Sequence, residues 1–411
     1  MASIKPFRAI RPTRDKAHLV VTRPASNYKE NVLKAKLETN PYTFIRIIHP
    51  EFDIETPKSN PNTPERFKLV KEKYIDFLND EILLQDQYEH IYLYKQTTPK
   101  NEFLGIIAGA SVAEYQKDLI KKHEATLTSR ESMFTEYLDI VGYNAEPVLL
   151  SYTHHPILED VYAQIMANRP EYEFSTTDRI KHELWILSAN EQNAVIHYFK
   201  DIDATYIADG HHRSASSSKL AGIRKAELRS SESETEQHFL AFFMDEKRIN
   251  ILEFNRLITH INNLSPREFL DKLSINFEVR PLSGAQKPTK EHHLTMNLNS
   301  DWYLLVCKPH LIQIDHPVYC LDPEILTQYI LDPILGIKDL KTDTSIEFIP
   351  GNLELDAISS PIAQNKAMVG FVLYPLTMDQ VKRVADKHLI MPPKSTWVEP
   401  KLRSGLTIYE I

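Results

Sequence analysis

The chain has 411 residues, a formal net charge of −8 and two cysteines. A chain of this length exceeds what one hydrophobic core fills, so two or three units are expected, and an acidic balance with no block of basic residues argues against nucleic acid as the partner. Cys307 and Cys320 stand outside any Cys/His cluster, which fits a reducing compartment and argues against structural zinc or a disulfide scaffold. No apolar run reaches signal-peptide length at the start or membrane-spanning length anywhere, so a cytoplasmic protein with no membrane partner is expected.

Ten glycines against 25 prolines favour long loops stiffened by proline over the glycine turns of a regular wound sheet. Residues 18–21 (HLVV) read as a short strand. Ser26-Asn27-Tyr28 reads as the cap of a polar helix over 29–39 that stops before Asn40-Pro41, and 42–48 (YTFIRII) as an alternating strand. A Pro- and Asn-rich connection over 56–64 leads into an amphipathic helix over 65–84, with Phe67, Val70, Tyr74 and Leu78 on one side. Residues 90–96 and 103–110 form a strand pair, 112–131 a short helix and loop, and 134–141 a helix. The run 147–152 is a strand of the same sheet as 206–208. His154-His155-Pro156 lacks a further Cys or His partner and reads as a polar loop.

Helices over 157–168 and 190–199 enclose a strand over 182–187. The acidic stretch 230–237 is a loop or helix extension, 239–244 is a buried strand, and 249–257 opens a new unit. That unit holds helices over 266–273, 323–330 and 377–388, strands over 277–280, 303–306 and 370–374, and a turn over 333–336. The expected divisions are an N-terminal α/β unit (1–100), a catalytic core (101–245) and a C-terminal α/β unit with a basic tail loop (246–411). The fold class is α/β (α+β).

The chemistry concentrates at Asp209-Gly210-His211-His212-Arg213. A β-prone run over 204–208 gives way there to small residues with helical spacing, which predicts strand, tight turn and helix. A helix N-terminus offers unpaired N–H groups and a positive dipole end, Gly210 admits a close approach, and the imidazoles and Arg213 add donors suited to phosphate. Asp209 is a carboxylate able to hold Mg²⁺ or orient a proton donor. His123-Glu124 and Arg130 lie in a charge-rich segment, where a carboxylate beside basic groups can be tuned as a general base. The tail supplies Lys394, Ser395, Thr396 and Lys401 on a proline-stiffened loop, a concentration of anion donors without the glycine loop of a Walker A motif.

On these motifs the chain resembles the DUF1015 family over almost its full length. The residues concerned are Lys5 to Pro12 (KPFRAIRP), Asn40 to Phe44 (NPYTF), Lys122 to Thr126 (KHEAT), Asp209 to Arg213, Leu321-Asp322, Pro333 to Gly336 (PILG), and Met391 to Thr396 with Pro400-Lys401. The family's Pro-Tyr-Asp-Val box is replaced here by Arg23 to Tyr28 (RPASNY), so no role for that Asp transfers. The middle third is also similar to the ParB/sulfiredoxin-type core of free-serine kinases, in which a His-Glu segment precedes a strand and an Asp-Gly-His-x-Arg turn. That likeness implies a kinase making O-phospho-L-serine from L-serine, with Glu124 as the base and the Asp209 to Arg213 turn as the phosphate cradle.

Pyrophosphate is the favoured donor, with ADP or ATP as alternatives. Mg²⁺ is the implied cofactor, Asp209 the implied metal ligand and catalytic partner of Glu124, and His123, Arg130, Lys394, Ser395, Thr396 and Lys401 the implied additional phosphate contacts. A homodimer is compatible with this reading. The competing readings are a ParB-like nucleotide-binding regulatory switch and a phosphohydrolase using the same cradle.

Overall fold

The computed structural model describes residues 1–52, 60–227 and 234–411. The chain forms two compact units: Met1–Lys121, Thr126–Ile249 and Pro400–Ile411 in the first, Lys122–Ala125 and Asn250–Glu399 in the second.

The first unit is built on a nine-stranded mixed sheet. Across it run Ile120–Lys121, Thr205–Asp209, Val148–Tyr152, His238–Asp245, Glu102–Ser111, Tyr92–Thr97, Lys181–Ile186 and Tyr172–Ser175, with Ile4–Lys5 also paired to Glu102–Ser111. Two of these pairings are parallel, Thr205–Asp209 with Ile120–Lys121 and His238–Asp245 with Val148–Tyr152. The central strands are buried along nearly their whole length because both faces are covered. Helices Pro156–Met166 and Ala189–Phe199 bring Leu158, Tyr162, Val195 and Phe199 onto Leu150, Ile106 and Phe243. Ser188 and Glu191 close a capping box at the start of the latter helix, satisfying its first N–H groups. Helix Pro64–Asn79 sits in a separate core, with Phe67, Val70 and Tyr74 against Ile10, Phe44 and Tyr143.

The second unit carries a seven-stranded sheet in the order Phe277–Leu282, Asp301–Cys307, His293–Leu298, Val369–Val372, Asn250–Ile258 and Ile346–Pro350, with Thr396–Glu399 also on Asn250–Ile258. Alternation along the strands sends Ile258, Phe371 and Met296 into one core with Phe269 and Ile330. It sends Leu257 and Val372 into another with Ile358 and Ile362, so both faces are covered. The α/β class with a mixed-sheet core is as the sequence reads. Among the described residues no helix is long and apolar enough to cross a membrane.

Several local expectations are corrected. Residues 18–21 fall in a helical turn, Ala17–Val20, whose start is pulled round by the Thr13 carbonyl accepting from the Lys16 and Ala17 N–H groups. Residues 42–48 hold the short helix Ile45–Ile48 and not a strand. Phe44, Ile45 and Ile47 are all buried there, and two-sided packing overrides β-branched propensity. The polar helix Glu30–Thr39 starts after a 3₁₀ turn, Ala25–Asn27, with Lys29 at its N-cap and no side-chain cap. The amphipathic helix ends at Asn79, and after Glu81 at positive φ the chain becomes the strand Leu83–Gln85 against Ile10–Pro12.

The helix read over 323–330 is α from Asp322 to Leu326 and π from Thr327 to Leu331. The division expected at 100/101 runs between two hydrogen-bonded strands, Tyr92–Thr97 and Glu102–Ser111, so 1–100 and 101–245 share one sheet. Parts of the connection over 56–64 and of the acidic stretch 230–237 lie outside the described residues.

Candidate functional site

Strand Thr205–Asp209 is buried until its last residue, and a bulge at Ala208 shifts the register so that Ile207 faces Leu150 and Asp209 faces Leu149 at the strand's end. Gly210 follows at φ 104°, ψ 28° as the N-cap of the 16-residue helix His211–Ala226. This backbone conformation is open to glycine and strained for other residues. A Cβ at Gly210 would also stand 3.2 Å from the Arg213 guanidinium. Gly210→Ala is therefore expected to lower stability by about 1–2 kcal/mol and to shift Arg213; urea unfolding measures the first effect, and a stability equal to wild type would contradict it. Ser214, Ala215, Ser216 and Ser217 are buried along the helix, small enough to admit helix Thr128–Val141, with Thr135 Oγ1 donating to the Ser216 carbonyl at 3.5 Å.

Arg213 is the hub of the turn. Its Nη2 meets Asp209 Oδ2 at 2.8 Å, and its Nη1 donates to the Pro147 carbonyl and to the Glu146 carbonyl at 3.2 Å and lies 3.0 Å from Glu146 Oε1 as an ion pair. The other oxygen of Asp209 receives Lys401 Nζ at 3.1 Å. Ser404 Oγ donates to Glu146 Oε2 at 3.4 Å, so the C-terminal segment joins the turn at two points. Beside it in the chain, Arg403 Nη2 meets Asp178 Oδ2 at 2.6 Å and Arg23 Nη1 lies 3.7 Å from the same oxygen. His212 Nε2 accepts from the Leu127 N–H at 3.2 Å, which places the proton of its neutral ring on Nδ1. His211 is buried at the first helical position.

The residues expected at the site therefore divide between the units. Asp209, Gly210, His211, His212, Arg213 and Lys401 come together in the first. Arg130 belongs there too, exposed in the opening turn of Thr128–Val141. His123, Glu124, Lys394, Ser395 and Thr396 belong to the second unit, where the His123 carbonyl accepts from the Met391 N–H at 2.9 Å. Lys394 is exposed at φ 56°, with Nζ 5.4 Å from the centre of the Phe254 ring. Ser395 is buried and donates to the Pro392 carbonyl at 2.7 Å, and Thr396 pairs with Glu253 in the sheet. Arg403 and Ser404 belong to the donor-rich tail the sequence points to, whereas Asp178 and the pair Glu146-Pro147 were not singled out. The signal for the latter was the pairing of 147–152 with 206–208, which brings Glu146-Pro147 to the end of the strand that carries Asp209.

His123 is buried and desolvation holds its imidazole down, at about 4, so it brings no positive charge to a phosphate near neutral pH. Burial lowers buried His182 further, to about 3. Both rings are neutral in the fold, while an unfolded chain protonates them near 6.5. Between those values the unfolded state binds more protons, so this contribution to stability is complete above pH 6.5 and is lost as pH falls toward 4. Thermal unfolding across that window should show Tm falling with pH, less steeply in His123→Gln; an unchanged slope in the variant would contradict the assignment.

Chemically, the turn is a helix N-terminus flanked by two cations that share one carboxylate. Asp209 has a cation on each oxygen, Glu146 is held by Arg213 and Ser404, and among the described residues no group of three His, Cys, Asp or Glu side chains stands together. The turn's positive charge comes from Arg213, Lys401 and the helix N-terminus.

The fold and this turn define an α/β protein with a strand-turn-helix junction flanked by Arg213 and Lys401. The sequence matches the family described as "Protein of unknown function (DUF1015)" over residues 4–324, and the chain belongs to that family. A comparison with curated proteins finds no match. Among solved structures, the chain is similar to a free serine kinase in complex with AMP at 13% identity and TM-score 0.36, covering 73% of this chain and 91% of that one. It is similar to a free serine kinase mutant in complex with ADP at 13% and 0.38, covering 75% and 97%. It is also similar to C-terminally truncated SbnI from Staphylococcus aureus at 12% and 0.38, covering 71% and 82%. Likeness at this level carries neither ligand nor reaction across.

Proposed function

We propose that the protein transfers a phosphoryl group to the hydroxyl of free L-serine, forming O-phospho-L-serine. The observation that carries this reading is the Asp209-Gly210-His211-His212-Arg213 turn at the head of a 16-residue helix, with Lys401 drawn onto Asp209. Phosphoryl transfer asks a protein chiefly for positioning and charge neutralisation. In this reading the N–H groups of the first helical turn and the histidines cradle the donor phosphate. Arg213 and Lys401 balance its charge, and Asp209 holds both cations in place. Arg130, Lys394 and Thr396 are proposed further anion contacts.

Glu124 is proposed to take the serine hydroxyl proton as the serine oxygen forms its bond to the terminal phosphorus. The phosphorus bond to the leaving group breaks in the same event. The leaving group is phosphate from pyrophosphate, AMP from ADP or ADP from ATP.

The test is ³¹P NMR of the purified protein with Mg²⁺ and L-serine, supplied in parallel with pyrophosphate, ADP and ATP, each beside a tube without serine. A phosphoserine resonance in one tube is the expected result and names the donor. Donor breakdown without serine would instead assign a phosphohydrolase. Binding with no turnover in any tube would assign a regulatory switch.

A further inference from the structure

Strand Asn250–Ile258 places an arginine in the interior of the second unit. Arg256 is 0% exposed and is flanked across the ladder by Phe348 on one side and Phe371 on the other. Its Nη1 donates to the Phe254 carbonyl at 2.8 Å, and the guanidinium carbon lies 4.5 Å from the centre of the Phe348 ring. The first contact fixes the rotation of the guanidinium and the second fixes its plane. The remaining edge, Nε and Nη2, is buried with no hydrogen-bond partner, and among the described residues no carboxylate forms an ion pair with Arg256.

A buried cation without a partner is costly, and a methionine or phenylalanine would fill the same space without that cost. Nε and Nη2 are the pair of parallel donors that grips two oxygens of one carboxylate or phosphate. A second cation is close at hand: Lys394 Nζ lies over the ring of Phe254, the residue whose carbonyl holds Arg256 and whose side chain shares its sheet face.

We propose that the Nε/Nη2 edge of Arg256 is a receptor for a small oxyanion, a phosphate or a carboxylate group, taken bidentately and assisted by Lys394. The site belongs to the second unit; it shares Lys394 with the reading proposed above, while the Arg256 contact does not depend on that reaction. The paired donors select two-oxygen groups over chloride.

The test is ¹⁵Nε–H NMR of arginine-labelled full-length protein, with the Arg256 resonance assigned by its absence from Arg256→Lys. Inorganic phosphate and acetate are titrated separately, with chloride as the control, so that the two arms tell a phosphate receptor from a carboxylate receptor. A saturable shift of the Arg256 resonance with one of them, and none with chloride, is expected. A resonance that neither anion moves overturns the proposal.

Thermal unfolding supplies a second measurement. Arg256→Met should raise Tm in anion-free buffer and lose the anion-dependent rise, while Arg256→Lys should need about tenfold more anion for the same rise. An anion-dependent rise that survives intact in Arg256→Met, together with an unmoved resonance, would place the anion elsewhere. If Arg256→Met does not fold, the resonance decides alone.

Discussion

Glu124→Ala should slow phosphoryl transfer to serine by about 10²–10⁴-fold, the range over which a positioned general base contributes, while leaving donor affinity unchanged. Glu124 is half-buried and follows His123 directly in the chain. His123 is held by its own burial and by its carbonyl accepting from Met391, so the peptide that presents Glu124 is anchored at its carbonyl. The donor, in the proposed reading, is gripped by a different stretch of chain, the turn opening His211–Ala226. Loss of the carboxylate then removes the acceptor's proton sink and nothing from the donor. Initial rates with serine and calorimetric titration of the donor read the two quantities separately. Full activity in Glu124→Ala would remove Glu124 from the mechanism. A parallel loss of donor affinity would make it a donor ligand.

Arg213→Met should cost about 2–3 kcal/mol of folding stability. The guanidinium holds two carboxylates and two backbone carbonyls at once. Removing it takes one cation from Asp209 and the guanidinium from Glu146, and two main-chain acceptors at the head of the strand Val148–Tyr152 lose their donor. Breaking a buried pair costs more than this, but the side chains are 24% exposed for Arg213, 30% for Glu146 and 38% for Asp209, and water recovers part of the loss. Arg213→Lys restores one charge but not the forked contacts, so it should recover only part of the difference. Urea denaturation measures both variants; a loss below about 0.5 kcal/mol in Arg213→Met, the scale of an ordinary surface change, would show that the hub carries no structural weight.

The central turn was legible in the sequence because three independent signals coincide there: β-prone residues ending at Asp209, a glycine at the bend, and small residues at helical spacing after it. The strands over 92–97, 102–111, 148–152 and 238–245 were legible for a similar reason, as long apolar runs admit few alternatives. Residues 18–21 and 42–48 were not, since four to seven residues of alternation cannot separate a strand from one buried helical turn. Lys401 on Asp209 was expected as a return of the tail to the turn, and the ion pair at 3.1 Å places it there.

The partners of Arg213 were a different problem. Glu146 and Ser404 are separated by 258 residues, and nothing local marks either as belonging to the other. Arg256 left a faint signal, an arginine where the strand's apolar face continues from Phe254 to Ile258. Its meaning depends on the absence of a counter-ion, which only a folded interior reveals.

Phosphoryl transfer to serine can be read from L-serine labelled with ¹⁸O in its side-chain hydroxyl. If the hydroxyl attacks the donor phosphorus, the phosphoserine formed keeps the label in its bridging oxygen, and its ³¹P resonance carries the small isotope shift of one bonded ¹⁸O. That shifted resonance is expected from the wild type and is expected to be lost in Glu124→Ala. Inorganic phosphate without phosphoserine, or a phosphorylated product bearing no ¹⁸O, would contradict transfer to the serine hydroxyl.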